Sequence, residues 1–284
     1  MFNLLPYHKG TQFDMIEPTL SRTRTALKST REVTPSNVIV VLPAYNEQEH
    51  IGPLLEKIDD ALQRRQIPYR VVVVDDGSID GTLSALDYYR EQLPVCIHRH
   101  ELNQGLGSTI RDGLRIASEM AADDDVVITM DADETHLPGL IPRMVEMIHE
   151  GRDVVVASRY QPGACVAGVS FPRRLLSYGA SVLFRMAFPT PGVRDFTCGY
   201  RAYRGAILRR AVATCGDNFV ESDGFACMAE LVLTLRSMDA IFGEVPIVLR
   251  YDLKHSGSKM RIAKTIRQSI AVLLRHRFSA PRKR

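Results

Sequence analysis

The chain has 284 residues, of which 45% are hydrophobic and 24% are charged, and its formal net charge is +3. These values indicate one large or two small globular domains, and they exclude collagen, a coiled-coil rod and a chain that is disordered throughout. We expect no transmembrane helix, because no run approaches the roughly 20 apolar residues that span a bilayer, and no secretory signal. The five cysteines are widely spaced, which predicts reduced thiols in a cytoplasmic protein.

Residues 1–36 lack a hydrophobic period and are expected to form a tail. After them, short apolar runs alternate with amphipathic segments. The predicted strands are 38–42, 70–74, 95–98, 126–130 and 153–158, and the predicted helices are 47–65, 81–92, 108–120 and about 138–149. This alternation predicts βαβ units and a mostly parallel sheet with helices on both faces.

Polar clusters follow the predicted strands, at the sheet edge where ligands of such folds bind. Asp131 and Asp133 come directly after the strand at 126–130. Two carboxylates at this spacing suit Mg²⁺ or Mn²⁺ that also binds phosphate oxygens, whereas the simpler interpretation is a polar loop. Thr135 and His136 are either secondary metal ligands or part of a solvated turn.

The first two strands end in residues that suit a nucleoside. Asp76 either belongs to a tight turn or accepts hydrogen bonds from a base or ribose. Tyr45 could pack against a base and Glu47 could hold a ribose, although this segment could simply start a helix. Arg159, after the strand at 153–158, suits a diphosphate or else forms a surface ion pair.

A pair of glycines, Gly105 and Gly107, resembles part of a dinucleotide-binding motif. The third spaced glycine is missing, and the pair does not follow the first strand. We therefore reject binding of NAD at this site.

Five motifs then occur in order: Leu42–Glu47, Val74–Thr82, Asn103–Gly107, Asp131–Asp133 and Ala157–Tyr160. Together they resemble glycosyltransferase family 2, which has the GT-A fold. Two further segments, Arg194–Tyr203 and His255–Met260, are similar to the dolichol-phosphate or polyprenol-phosphate mannose synthase branch. The resemblance covers roughly residues 36–265.

The resemblance implies a role for individual residues. The positions that match the nucleoside site are Pro43, Tyr45, Glu47, Val74 and Asp76. Asp131, Ala132 and Asp133 match the metal and diphosphate motif, and Thr135 occupies a third metal position where Gln is common. Arg159 matches an arginine near the diphosphate or acceptor phosphate, and Lys259 matches a lysine that closes over the diphosphate. Either Arg250 or Lys254 matches a further basic group, and Cys198 stands where Ser is common.

The implied reaction is transfer of mannose or glucose from GDP-mannose or UDP-glucose to a polyprenyl phosphate, with inversion and with Mg²⁺ or Mn²⁺. A lipid phosphate is already anionic and needs no strong base. A hydroxyl acceptor would need one, and Asp195 and Glu230 are the candidates. The alternative for Asp195 is a structural cap.

Two segments predict contact with a membrane surface. Residues 171–190 are apolar with interspersed arginines, which indicates either a core helix or an interfacial helix that holds a polyprenyl chain. Residues 262–278 form a basic amphipathic pattern, which could bind an anionic leaflet or a partner. Residues 250–284 carry 11 Lys and Arg and one acid.

The predicted organisation is a tail (1–36), a GT-A catalytic domain (37–260) and a basic amphipathic segment (261–284). We expect a peripheral protein at the cytoplasmic face of a membrane, which leaves room for a separate membrane-anchoring subunit as partner. Nucleic acid is not an expected partner.

Three other functions are compatible with parts of the pattern. A family 2 glycosyltransferase could act on a soluble sugar, a small molecule or a lipid hydroxyl. A non-enzymatic nucleotide-sugar binding module would be expected to lack the metal carboxylates or Lys259. A sugar-1-phosphate nucleotidyltransferase would carry a glycine-rich phosphate loop after the first strand, which this chain lacks.

Overall fold

A computed structural model describes residues 36–169, 171–250 and 262–278. The strands in this part of the chain are β1 (Val38–Ala44), β2 (Tyr69–Asp75), β3 (Val95–Arg99), β4 (Val126–Thr129), β5 (Val154–Ser158), β6 (Cys165–Ala167), β7 (Arg201–Arg204), β8 (Phe242–Pro246) and β9 (Val248–Arg250). The α-helices are α1 (Ile51–Gln63), α2 (Thr82–Tyr89), α3 (Leu106–Met120), α4 (Ile141–His149), α5 (Phe171–Ala187), α6 (Gly205–Cys215), α7 (Cys227–Arg236) and α8 (Ile262–Phe278). Short 3₁₀ helices span Pro138–Leu140 and Gly216–Phe219.

Seven strands form the central sheet in the order β3-β2-β1-β4-β7-β5-β8. All neighbours pair in parallel except β7, which is antiparallel to β4 and β5. The parallel strands are almost continuously buried, as expected when helices cover both faces of a sheet. The predicted α/β class with a mostly parallel sheet is confirmed.

The predicted apolar face of α1 is confirmed. Ile51, Leu54, Leu55, Ile58 and Leu62 are all buried in the core. The helix begins at Ile51 and not at residue 47. Residues 48–50 form a turn that leads into it, in which the Glu47 carbonyl accepts the amides of His50 and Ile51.

The other predicted boundaries shift by a few residues, as is usual at the ends of elements. Helix α2 ends at Tyr89 rather than at residue 92, α3 begins two residues early at Leu106, and β4 ends at Thr129 rather than at residue 130. The segment that begins at Pro138 starts as a 3₁₀ turn before α4.

Strand β7 has no counterpart among the predicted strands. Its first residue, Arg201, is fully buried, and its guanidinium donates to the carbonyls of Met228 (2.6 Å) and Phe196 (2.8 Å). An arginine at the start of a core strand breaks the apolar pattern from which strands are predicted.

Strands β1, β2, β4 and β5 direct their carboxyl ends to one edge of the sheet, as predicted. Close to this edge, β6 and β9 form a small parallel sheet of their own, and Leu249 makes a bridge to His136. Helix α8 packs against α5 and α7. None of the helices in the described ranges is both long and apolar enough to cross a membrane.

Candidate active site

The two predicted metal carboxylates lie on the loop directly after β4. Asp133 is buried, and its Oδ1 accepts hydrogen bonds from the Thr135 hydroxyl (2.6 Å) and the Thr135 amide (3.2 Å). The Asp131 side chain is 34% exposed. One carboxylate is therefore fixed by its own loop, while the other faces solvent.

Two neighbours of these carboxylates are buried, so the alternative of a solvated turn for Thr135 and His136 is wrong. The Asp131 amide donates to His136 Nδ1 at 3.0 Å, and the His136 ring stacks on Tyr200 with centroids 5.1 Å apart. The Tyr200 hydroxyl donates to the Leu137 carbonyl at 3.1 Å. These contacts fix the backbone that carries Asp131.

Glu134, the residue between Asp133 and Thr135 on the loop after β4, has a left-handed backbone with φ of +59°. Such a backbone conformation costs a residue other than glycine roughly 1–2 kcal/mol. The Glu134 carboxylate forms an ion pair with Lys57 of α1 and lies 3.3 Å from Nδ1 of His50, the residue just before α1. This network holds the loop in place, and the sequence pattern gave no signal for it.

The loop fits a hard divalent ion on two observations. Its donors are carboxylate oxygens, which Mg²⁺ and Mn²⁺ prefer. Gly199 lies beside it, and a Cβ atom at that position would be 3.3 Å from Asp131 Oδ1. A glycine there leaves room around the exposed carboxylate. Whether Thr135 ligates the ion stays a prediction, since the structure shows its hydroxyl on Asp133.

The predicted nucleoside residues come together at the ends of β1 and β2. Pro43 is the register partner of Val74, and Ala44 is that of Asp75. Val74 is buried, while Pro43 and Tyr45 are half-buried at the edge.

The loops after these two strands are joined by hydrogen bonds. The Asn46 amide donates to the Ser78 hydroxyl (2.9 Å), and the Glu47 amide donates to the Thr82 hydroxyl (2.8 Å). Asn46 has φ of +52°, and its side-chain oxygen accepts the Ile79 amide (3.0 Å). The two loops therefore form one unit that can carry a nucleoside.

Asp76 makes contacts beyond those predicted. Its carboxylate accepts hydrogen bonds from the amides of Gln104 (2.8 Å) and Gly105 (2.9 Å) and lies 2.7 Å from His100 Nδ1. Asp76 thus ties the end of β2 to the loop before α3. Its contact with a nucleoside stays a prediction.

Gly105, just before α3, and Gly107, in its first turn, serve close packing. Gly105 has φ of +94°, and a Cβ at Gly107 would lie 1.7 Å from the Ser222 carbonyl oxygen. The Gly107 amide donates to the Asp223 carbonyl at 2.9 Å. These contacts explain both glycines without a dinucleotide phosphate.

Arg159, which is half-buried, forms an ion pair with the fully buried Asp195. The alternative of an ion pair is therefore confirmed, but the pair is not on the surface. Arg159 Nε and Nη2 donate to the two carboxylate oxygens at 2.8 and 2.7 Å, and Nη2 also donates to the Thr197 hydroxyl. Burial by itself would raise the pKa of Asp195, but the charge and hydrogen bonds of Arg159 outweigh it and lower that pKa. A carboxylate with a lowered pKa is a weak base.

Asp195 also caps the turn that follows it, as the structural alternative supposed. Its Oδ1 accepts the amides of Thr197 (3.2 Å) and Cys198 (3.1 Å). Burial, reinforced by the Asp195 charge, raises the pKa of the Cys198 thiol to about 12. Cys198 is therefore a small neutral side chain in the core.

Glu230, the other candidate base, is also buried and engaged. Its Oε2 accepts the amides of Glu221 (3.1 Å) and Ser222 (2.8 Å), and its Oε1 accepts a hydrogen bond from Arg275 of α8 at 2.8 Å. Glu230 therefore connects α7, the 221–222 loop and α8.

The predicted basic loop is only partly described. The Arg250 amide donates to the Thr135 carbonyl at 3.1 Å, so β9 ends beside the loop after β4 that carries Asp131 and Asp133. Lys254 and Lys259 lie outside the described residues.

Comparison with known proteins agrees with this geometry. The family model described as glycosyl transferase family 2 matches residues 39–212. The dolichol-phosphate mannosyltransferase of Pyrococcus furiosus is 37% identical over 172 residues, which are 60% of this chain and 47% of that protein. The matched segment thus spans about half of that relative.

The polyprenol monophosphomannose synthase of Mycolicibacterium smegmatis is 28% identical over 234 residues, 82% of this chain and 83% of that protein. The predicted resemblance to this branch is confirmed.

Solved structures share the fold. Glucosyl-3-phosphoglycerate synthase from Mycobacterium tuberculosis, in complex with Mn²⁺, UDP and phosphoglyceric acid, superposes with a TM-score of 0.61 at 19% identity over 86% of this chain and 79% of that one. The same enzyme with Mg²⁺ and UDP gives a TM-score of 0.58 at 18% identity, over 85% of this chain and 79% of that one. At this identity the likeness confirms the predicted GT-A fold and nothing finer.

Proposed function

The chain belongs to glycosyltransferase family 2, and from this premise we propose that it is an inverting, metal-dependent hexosyltransferase whose acceptor is a polyprenyl phosphate. The observation that carries the proposal is the convergence of three groups at one sheet edge. These are the joined loops after β1 and β2, the carboxylate loop after β4, and Arg159 after β5.

The donor in this proposal is GDP-mannose or UDP-glucose. Pro43, Tyr45, Glu47, Val74 and Asp76 line the place of the nucleoside at the ends of β1 and β2. The names of the two curated relatives, a mannosyltransferase and a phosphomannose synthase, favour mannose.

A divalent ion, Mg²⁺ or Mn²⁺, would be held by Asp131 and Asp133, next to the Ala132 backbone. When bound, it supplies positive charge that offsets the charge developing on the leaving diphosphate. The structural relatives bind Mn²⁺ or Mg²⁺ together with UDP. Asp133 is oriented by Thr135, and the one-third-exposed Asp131 would meet the ligand.

Arg159 would hold a charged guanidinium at the same edge, because the carboxylate of Asp195 favours the charged form of Arg159 and fixes its direction. We also assign Lys259 to the diphosphate, where its positive charge would act together with that of Arg159. The chain leaves β9 beside Thr135, and Lys259 follows nine positions after Arg250 in the sequence.

A phosphate acceptor fits the residues better than a hydroxyl. Both candidate bases, Asp195 and Glu230, are buried and engaged by strong donors. An anionic lipid phosphate attacks without a base, whereas a hydroxyl acceptor requires a carboxylate able to take its proton.

Helices α5 and α8 offer a place for the lipid. One side of α5 is in the core, where Phe184 is fully buried. The other side of α5 and one side of α8 expose large apolar residues: Leu175, Tyr178, Leu183 and Met186 on α5, and Ile266, Ile270 and Leu274 on α8. Basic residues of α8, among them Arg267 and Arg277, flank this surface. Such a surface is typical of peripheral contact with an anionic membrane.

In this proposal residues 37–260 form the catalytic domain and residues 261–284 form the membrane-contacting segment, at the cytoplasmic face. A separate anchoring subunit is compatible with this arrangement.

The acceptor class is tested by offering one labelled donor with three acceptors: a polyprenyl phosphate, the matching polyprenyl alcohol, and a soluble sugar phosphate. The proposal expects organic-extractable label with the lipid phosphate and little with the alcohol. Label that appears only on the soluble acceptor would overturn the lipid assignment and retain the donor site.

A further inference from the structure

A second cluster of metal-ligating side chains lies at the outer edge of the sheet. His98 belongs to β3, the edge strand, His100 follows it, and Asp112 projects from α3. One ligand atom from each of the three lies within 4.8 Å of the other two. His100 Nε2 is 3.1 Å from Asp112 Oδ2.

The hydrogen bonds of His100 constrain what occupies the centre of this cluster. His100 Nδ1 is 2.7 Å from Asp76 Oδ1. An ionised carboxylate only accepts hydrogen bonds, so Nδ1 carries the proton. His100 Nε2 then faces Asp112 Oδ2 across 3.1 Å. A second proton on the ring or a metal ion bound to both atoms satisfies this contact, and the metal is the alternative tested below.

His98 supplies a further donor atom. Residues two apart on a strand face the same side, so His98 and His100 sit together, with ring centroids 5.5 Å apart. Within the described part of the chain the His98 ring makes no hydrogen bond. His98 is half-buried, so its ring can turn toward an ion at little cost.

The cluster is accessible. It lines an open cavity of about 500 Å³ together with Arg99, Leu102 and Gln104. Three protein ligands with an open side leave coordination positions for water, the arrangement that zinc takes in sites with an exchangeable ligand.

We propose that His98, His100 and Asp112 form a second metal site, selective for an imidazole-preferring transition ion such as Zn²⁺ and separate from the carboxylate loop after β4. Imidazole ligands favour Zn²⁺ over Mg²⁺. The Asp76 carboxylate on His100 Nδ1 is the outer partner that commonly orients a metal-ligating histidine. An ion bound at His100 Nε2 would hold the ring in the orientation in which Nδ1 donates to Asp76, and so steady the end of β2.

The test is zinc binding to the full chain, measured by isothermal titration calorimetry and by the visible absorption of Co²⁺ as a substitute. We expect His98→Ala and Asp112→Asn each to weaken the affinity at least about tenfold. His149→Ala is the matched control, because His149 is an exposed histidine bonded to Ser36 far along the chain. It should bind like the wild type.

Asp131→Asn/Asp133→Asn distinguishes this site from the proposed donor metal site and should leave zinc binding intact. Zinc should also raise the thermal midpoint of the wild type but not that of His98→Ala, which checks that the variant folds and lacks only the site. No saturable zinc binding to the wild type, or binding lost in the double aspartate variant and kept in His98→Ala, would overturn the proposal.

Discussion

Asp131 and Asp133, the two carboxylates of the loop after β4, have unlike surroundings. Asp133 is buried and already accepts two hydrogen bonds from Thr135, while Asp131 is one-third exposed beside Gly199. Asp133 is thus preorganised for the proposed ion, which Asp131 would meet from the more exposed side. Both are required if the ion binds together with a diphosphate.

We predict that Asp131→Asn and Asp133→Asn each reduce sugar transfer roughly 100-fold or more, because a bound ion contributes several kcal/mol of charge stabilisation. Calorimetric titration of GDP and UDP in Mn²⁺ should show the same loss of metal-dependent donor binding. Asp124→Asn, an exposed aspartate before β4, is the control and should behave like the wild type. Unchanged donor binding in both loop variants would contradict the assignment.

The Arg159–Asp195 pair makes a prediction about stability. Asp195→Asn leaves the Arg159 charge without its partner, and breaking a buried pair costs about 3–5 kcal/mol. Urea unfolding at neutral pH measures this loss. Glu150→Gln, at the exposed Arg143–Glu150 pair, is the control and should have little measurable effect.

The same pair gives a pH dependence with a definite sign. The folded-state pKa of Asp195 lies below its unfolded value of about 3.9. Its ionisation therefore stabilises the fold above that pH, and the contribution disappears as the pH falls through the folded-state pKa. The difference in unfolding free energy between the wild type and Asp195→Asn should be greatest at neutral pH and should decrease below about pH 4. A difference that stays constant on acidification would argue against the pair.

At the level of elements, the entrance to α3 depends on the absence of a side chain at Gly107. A Cβ atom there would lie 1.7 Å from the Ser222 carbonyl oxygen, so the helix or the 222–223 backbone must move. The movement would reach Asp76, because the carboxylate of Asp76 holds the amides of Gln104 and Gly105.

Gly107→Ala should therefore destabilise the protein by about 1–3 kcal/mol and weaken binding of the nucleotide. Denaturant unfolding and nucleotide titration measure the two effects. Gly139→Ala is the matched control, since no atom lies within 4 Å of its Cβ position. If both substitutions are equally harmless, the close approach at α3 is not the reason for the glycine.

Helix α8 carries the membrane prediction. Ile266, Ile270 and Leu274 recur every four residues and are 44%, 47% and 53% exposed, so they form one apolar stripe along the helix. Arg275 holds the helix to the body through Glu221 and Glu230.

Replacing all three stripe residues by serine should lower co-sedimentation with anionic liposomes roughly tenfold or more, because each buried apolar side chain contributes about 1.5–3 kcal/mol. Ile241→Ser, at the amino end of β8, is the control: Ile241 is 51% exposed but lies outside α5 and α8. Liposome binding that is undiminished in the triple variant, or after removal of residues 262–284, would rule out this surface.

For the whole molecule, local patterns in the sequence predicted much of the fold. The apolar runs that became β1, β2, β4 and β5 and the periodic face of α1 were sufficient for the parallel sheet. They also located the polar residues at one edge, because parallel strands end on the same side.

Long-range contacts were not predictable in the same way. Strand β7 begins with a buried arginine, Arg201, and one of its partners is the carbonyl of Met228 in α7, 27 positions along the chain. The network of Glu134 with His50 and Lys57 joins residues about 80 positions apart. The cluster of His98, His100 and Asp112 likewise depends on how α3 packs beside β3. Periodicity within one segment carries no information on such pairings.

The central claim is that this sheet edge transfers a hexose from a nucleotide donor to a polyprenyl phosphate with the help of a divalent ion. The most direct measurement is organic-extractable label from GDP-mannose and UDP-glucose, with metal-depleted protein to which Mg²⁺ or Mn²⁺ and lipid phosphate are added separately and together. We predict labelled lipid from one donor only when metal and lipid phosphate are both present. Labelled lipid that forms equally well without metal, or label that stays water-soluble in the complete mixture, would contradict the account.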